Sequence, residues 1–290
     1  MAFDSARLSP SDRLPGGWTA PAPAKINRFL HIIGRRADGY HALETGFQFT
    51  DWCDHVHLAL ADTLALVEDP LGLGQDNLVM KAARLFFETT GIPGGCQIAL
   101  EKHLPDGAGL GGGSSDAATT LVILNTLHGH PLTQAALMAL GSHLGADLPI
   151  FIFGRSAFAT GIGDACDAED WGGSCVLIAT PPLKVETGAV FSHPKLTRDT
   201  PSCRIRASQL AMTRNDCEPV VRNSFPEIDR LFTVLAPFGK PRLTGTGSSV
   251  IVIDPDQSQH AAFSEARALA SVHIAALMET SVLYTANATA

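Results

Sequence analysis

The chain has 290 residues, with 21 Lys and Arg against 29 Asp and Glu and a formal charge of −8 at neutral pH. That balance, with no basic run beyond Arg35-Arg36, argues against a protein that grips a nucleic-acid backbone by charge. A chain that is 45% hydrophobic and 17% charged is also no disordered polymer, and at about 150 residues per domain its length predicts two domains or one large one.

Residues 1–18 carry Asp4, Arg7, Asp12 and Arg13 without an apolar core, which predicts a loose tail and no secretory leader. Ala24 to Ile33 reads as a strand ended by the turn residues Asp38-Gly39, and alternation puts Lys25 and Asn27 on one face. Segments 43–50, 55–60 and 63–68 read as further strands. Helical spacing of Leu78, Val79, Ala82, Leu85 and Phe86 predicts a helix over 77–90, with Asp76 as its cap and Gly91 as its stop. A strand around Cys96, Ile98 and Leu100 follows. The glycine-dense loop 105–113 then enters a helix from about Ser114 to His128, and Thr133 caps a second helix that ends near Gly145.

The second half continues the mixture: strands at 155–160, 174–180 and 249–253, helices at 226–236 and 257–270. The expected class is α+β, with an N-terminal domain over 19–160, a C-terminal domain over 161–280 and a C-terminal tail over 281–290 whose last residues, 285–290, are expected to fray. The uncharged stretch between Asp116 and Asp147 is broken by Asn125, His128, His130, Pro131 and Gln134, short of the ~20 apolar residues of a membrane span. The six cysteines, Cys53, Cys96, Cys166, Cys175, Cys203 and Cys217, are scattered without a C-x-x-C pair and read as reduced thiols. A cytoplasmic protein is expected.

Glycine fills five of the seven positions from 107 to 113. Strand, glycine loop and helix start, in that order, make an anion site: backbone N–H groups approach a phosphate closely and the helix N-terminus favours negative charge. Gly107-x-Gly109-x-x-Gly112 matches a dinucleotide fingerprint, but 117–146 contains no acidic residue for a ribose. Walker A fails as well, because Gly239-Lys240 is followed by Pro241. His55-Val56-His57 places two imidazoles on one strand face, but no third ligand pattern follows in the sequence, so a structural pair is expected there.

The run P-D-G-A-G-L-G-G-G-S-S-D-A-A at 105–118 resembles the phosphate loop of the GHMP kinases. P-A-P-A-K-I-N at 21–27 and L-T-G-T-G-S-S-V at 243–250 resemble that family's outer motifs. Ala24 to Thr45, Gly145 to Pro149 and Asn215 to Glu218 are similar to the branch that phosphorylates the 2-hydroxyl of a cytidine-diphosphate-linked methylerythritol on a non-mevalonate route to isoprenoids. The resemblance, running from Pro21 to Ile253, implies a two-domain fold: an N-terminal domain of the ribosomal-protein-S5-domain-2-like type and an α/β-plait-like C-terminal domain. It implies a phosphotransferase with an alcohol acceptor, using ATP and Mg²⁺. Rival readings are a family kinase for another alcohol such as mevalonate or homoserine, and a non-catalytic nucleotide-binding relative.

By the same resemblance, Lys25 and Asp147 are the catalytic pair. The ATP cradle is Pro105, Asp106, Gly107, Ala108, Gly109, Leu110, Gly111, Gly112, Gly113, Ser114 and Ser115, with Ser115 the candidate Mg²⁺ ligand. The other substrate falls to Asn27, Tyr40, His41, Lys102, Thr187, Phe191, Gly245 and Gly247, Tyr40 and Phe191 being the aromatic walls for a cytosine. Asp106, Ala108 and Arg28 depart from the family pattern. Small-molecule substrates, no nucleic-acid or membrane partner, and a monomer or weak homodimer complete the expectation.

Overall fold

The computed structural model describes residues 8–284, so the first part of the expected N-terminal tail and residues 285–290 of the expected frayed terminus lie outside the described residues. The molecule is organised by two long strands. After a short β1 (Ser9–Pro10), β2 (Trp18–Arg35) and β3 (His41–Ala61) pair antiparallel from Trp18↔Leu58 to Arg35↔His41. The two segments expected at 43–50 and 55–60 are one strand. Pairing continues between them, with Cys53 opposite Pro23, and the missing proline donor is absorbed as a register shift between Pro23 and Lys25.

The other edge of β3 is shared. Residues 55–61 pair with β5 (Gly95–Glu101), itself parallel to β4 (Ala65–Glu68), while 45–47 pair with β6 (Ala157–Thr160), which turns back into β7 (Ala165–Ala168). Between these two partners Phe49 and Thr50 receive Met278 and Leu277 of β11 (Ser271–Met278). This last strand, not anticipated from the sequence, also runs alongside β8 (Cys175–Thr180), and β8 leads to β10 (Val250–Ile253) and β9 (Arg242–Leu243).

Helices cover the two halves of this sheet separately. Over β3 and β5 pack α1 (Leu78–Thr90), α2 (Gly112–Leu127), α3 (Gln134–Ser142) and α4 (Leu148–Phe153), with Phe86, Leu121, Leu124, Leu137, Phe151 and Ile98 in one core. After α5 (Thr187–Ser192), α6 (Glu218–Ser224), α7 (Pro226–Leu235) and α8 (His260–Leu269) enclose a second core with Leu177, Val221, Leu231 and Val250. A third cluster lies between them: Ala24, Ile26, Ala108 and Leu110 meet Val176, Ile178 and Ile251.

The cap of α1 is Asn77, in place of Asp76. Asn77 has extended backbone and its side chain accepts from Val79 N, whereas Asp76 sits in the preceding turn and pairs with Lys81. Thr133 caps α3 as expected, accepting from Ala136 N. The described parts of the expected tails are packed: Leu14 is buried against Ala59 and Ala99, Leu283 joins the first core, and the Tyr284 hydroxyl donates to Ile152 O. Leucine has enough apolar surface to order a short segment that composition alone reads as loose. All six cysteines are free thiols, and among the described residues no helix is long and apolar enough to cross a membrane.

Candidate active site

Side-chain alternation along β2 sends Lys25 and Asn27 into the same buried space, where they are 3% and 2% exposed. A buried ammonium needs partners to offset its lost hydration. Lys25 Nζ donates to Asn27 Oδ1 at 2.8 Å and to Gly109 O at 3.2 Å, and lies 3.3 Å from Asp147 Oδ2. Asn27 is held in turn: its Nδ2 donates to Thr45 Oγ1 and its backbone N–H to Thr244 Oγ1. Asp147 immediately precedes α4, yet its side chain makes no capping bond there. At 34% exposure the carboxylate faces solvent on one side and Lys25 on the other.

The glycine loop crosses the mouth of this space. Gly107, Gly109 and Gly111 all have φ between 66° and 78°. At Gly109 the second requirement is close approach, since a Cβ there would lie 2.4 Å from Thr244 O. Gly111, in the left-handed conformation, starts α2, and the first intrahelical bond runs from Ser115 N to Gly111 O. The N–H groups of the preceding turn therefore have no intrahelical acceptor, and the helix dipole points its positive end the same way. Loop, Lys25, Asp147, Tyr40, Phe191 and the Gly245–Gly247 turn all line one cavity of about 890 Å³.

Comparisons with known proteins place this arrangement. Residues 77–155 match the family described as the GHMP kinases N terminal domain. The 4-diphosphocytidyl-2-C-methyl-D-erythritol kinase of Pseudomonas paraeruginosa is 44% identical over 242 residues, covering 82% of this chain and 86% of that protein. The chain belongs to the 4-diphosphocytidyl-2-C-methyl-D-erythritol kinase family. A crystal structure of 4-(cytidine 5'-diphospho)-2C-methyl-D-erythritol kinase superposes with a TM-score of 0.77 at 32% identity, covering 89% of this chain and 98% of that one. The homoserine kinase of Cytophaga hutchinsonii, at 18% identity and a TM-score of 0.66, shares the fold.

Within this kinase family's motifs, not every residue singled out from the sequence reaches the cavity. Leu110 is packed in the third cluster, and Ser115 is fully buried with its hydroxyl unpartnered, one helical step past Ser114, which does line the cavity. Ser115, the expected Mg²⁺ ligand, thus does not line the cavity, whereas Ser114 does. Asp106 and Ala108 do line the cavity, where Asp106 pairs with Lys184 and the largely buried Ala108 accepts at its carbonyl from Ser249 N. Arg28 donates to Gln48 and to Gly172 O, away from the cavity lining.

Lys102 lines the cavity, but its ammonium is held between Asp54 and Asp116, the latter at 2.6 Å. Burial lowers and the two carboxylates raise the Lys102 pKa, and the carboxylates prevail. Burial, with the neighbouring Asp54 charge adding to it, pushes Asp116 up to about 7 against the pull of Lys102. Asp54 also accepts from the backbone N–H groups of His103 and Leu104, pinning the strand end before the loop.

At the far end of the cavity Tyr40 is 61% exposed, and the ring stacked on Phe191 is that of His41, at 5.1 Å between centroids. Arg198 donates to His41 Nε2 and to Phe191 O. Burial, with the charges of Arg198 and Arg35, lowers the His41 pKa and so favours the neutral imidazole. Thr187 shares a hydroxyl hydrogen bond with Thr246 beside Gly245 and Gly247. Sequence reading missed Thr244, Asp54, Asp116 and Arg198. Thr244 and Asp116 lie inside the motifs at 243–250 and 105–118, but no local pattern assigns a partner to any of the four, which meet theirs through the fold.

Proposed function

We propose that the chain transfers the γ-phosphoryl group of ATP to the 2-hydroxyl of 4-diphosphocytidyl-2-C-methyl-D-erythritol, with Asp147 and Lys25 as the reacting pair. The observation that carries this reading is the Lys25–Asp147 contact at 3.3 Å in the same cavity as the glycine loop. Phosphoryl transfer asks the protein for positioning and charge stabilisation. The loop's φ-positive glycines and the N-terminal amides of α2 supply a cradle for the triphosphate. Asp147, adjoining the cavity and free of capping bonds, accepts the hydroxyl proton as the substrate oxygen attacks the γ-phosphorus and ADP leaves. Lys25, held by Asn27 and Gly109 O, lies beside Asp147 and faces the charge that develops on the attacking oxygen.

Mg²⁺ takes most of its ligands from phosphates and water, and Ser114 is the hydroxyl at the cavity placed to add one. When bound, the ion neutralises charge on the transferring phosphates. The Tyr40, His41 and Phe191 end fits an aromatic base, and the neutral His41, accepting at Nε2 from Arg198, presents its proton on Nδ1. Division into two domains near residue 160 belongs to the same reading and is supported by the two helix-covered cores; a cytoplasmic location and a monomer or weak homodimer complete it. The direct test is Asp147→Asn. kcat is expected to fall about 10²- to 10⁴-fold with little change in either KM, and survival of kcat would remove Asp147 as the base.

A further inference from the structure

Outside the catalytic cavity, the described residues hold one group of imidazoles and a carboxylate able to meet at a single ion. The donor atoms of His55, Glu101 and His103 lie within 4.8 Å of one another. Strand pairing builds the group: His55 stands directly opposite Glu101 in the β3–β5 ladder. His103 lies two residues beyond Glu101, with its Nε2 at 3.1 Å from Glu101 Oε1 and its ring edge-on to His55 at 6.1 Å. None of the three lines the cavity. Asp54, which precedes His55, and Lys102, between Glu101 and His103, bond to each other, so the strands carry the ion pair and the imidazole group on opposite faces.

Three features argue for a ligand. His55 Nδ1 is buried without a hydrogen-bond partner, a state that costs free energy unless something accepts or donates there. Glu101 is already oriented: Arg13 lies 3.2 Å and His57 Nε2 3.7 Å from its Oε2, leaving Oε1 toward His103. Such outer partners are what fix a carboxylate for coordination. His103 is 47% exposed on its side chain, so an ion can enter from solvent. Two imidazoles and one carboxylate form the donor set of a borderline divalent ion such as Zn²⁺, with water completing the shell, and a poor set for Mg²⁺.

We propose that His55, Glu101 and His103 bind one zinc-class divalent ion on the outer face of the β3–β5 ladder, separate from the metal that accompanies ATP. The bound ion ties β3 to the end of β5, one residue before Lys102 and shortly before the glycine loop. The experiment uses the full chain, stripped of metal with a chelator. Equilibrium dialysis against Zn²⁺ is expected to give one tight equivalent per chain, and Co²⁺ in its place is expected to show the visible absorption of nitrogen and oxygen coordination. His103→Ala, an exposed site that should fold normally, and Glu101→Gln are each expected to weaken binding by about tenfold or more. Zn²⁺ should raise the Tm of the parent and not that of His103→Ala. Failure to bind an equivalent, retention of full affinity in both variants, or cobalt–thiolate charge-transfer absorption marking a cysteine site would each overturn the proposal.

Discussion

Lys25 illustrates how a buried charge becomes useful. Its three polar contacts leave it fixed beside Asp147, where a freely moving surface lysine would contribute little. The buried Lys102, Asp54 and Asp116 group works differently, since Asp116 carries a pKa raised to about 7, chiefly by burial. Between its ordinary value and about 7 the native chain holds a proton that the unfolded chain has released, so stability falls as pH rises through that interval. Asp116→Asn should flatten this dependence. Urea midpoints at about pH 5 and about pH 8 measure it, and an unchanged slope in the variant would contradict a titrating Asp116. At the other end of the cavity, Tyr40→Ala should raise KM for the cytidylated substrate roughly tenfold, in line with stacking energies, while leaving that for ATP nearly unchanged. Equal effects on both would refute a role in base recognition. The pairing of Lys25 with Asn27 was legible from strand alternation and that of Lys25 with Asp147 from family motifs. The commitment of Lys102 to two carboxylates was not, because Asp54 and Asp116 come from a strand and a helix that no local pattern joins.

The glycine loop is the element to which the proposed function assigns the triphosphate, and its glycines are not equivalent. Gly109 combines a φ of 78° with a Cβ position 2.4 Å from Thr244 O, while Gly113 has neither constraint and would meet only Leu78 Cδ1 at 3.9 Å. Gly109→Ala should therefore cost about 2 kcal/mol or more of stability and lower kcat/KM for ATP by about 100-fold through misplacement of the loop. Gly113→Ala should leave Tm nearly unchanged. Comparable Tm values for the two variants would show that close packing on Thr244 is not what holds the loop. The helices α2, α3 and α7, whose starts are marked by the glycine loop, the capping Thr133 and Pro226, were readable from the sequence to within about two residues. The six- and seven-residue helices α4 and α6 were not, since so short a run offers barely two turns of periodicity. β11 was missed because S-V-H-I-A-A-L-M is an apolar mixture without alternation, and its status as a strand comes from pairing with β8 and β3.

At the scale of the molecule, the final strand bridges both halves. β11 pairs with β8 over 271–276 and passes to β3 at 277–278, and the residues after it return to the first core through Leu283. Residues 281–284, expected to begin a tail, thus close onto the first core, while the stretch expected to fray, 285–290, lies outside the described residues. Leu283→Ala should lower stability by about 2–4 kcal/mol, measured by denaturant unfolding, whereas a change within error would mean that the segment contributes no packing. The charge of −8 acquires a local meaning as well. In the proposed reading the substrates are anions whose binding falls to loop amides, the α2 N-terminus and Lys25, without help from bulk attraction. The measurement that bears most directly on the whole account offers ATP and Mg²⁺ with 4-diphosphocytidyl-2-C-methyl-D-erythritol, mevalonate and homoserine in parallel and follows ADP release. ADP release with the cytidylated erythritol and not with the other two is the predicted result, and turnover confined to mevalonate or homoserine would contradict it.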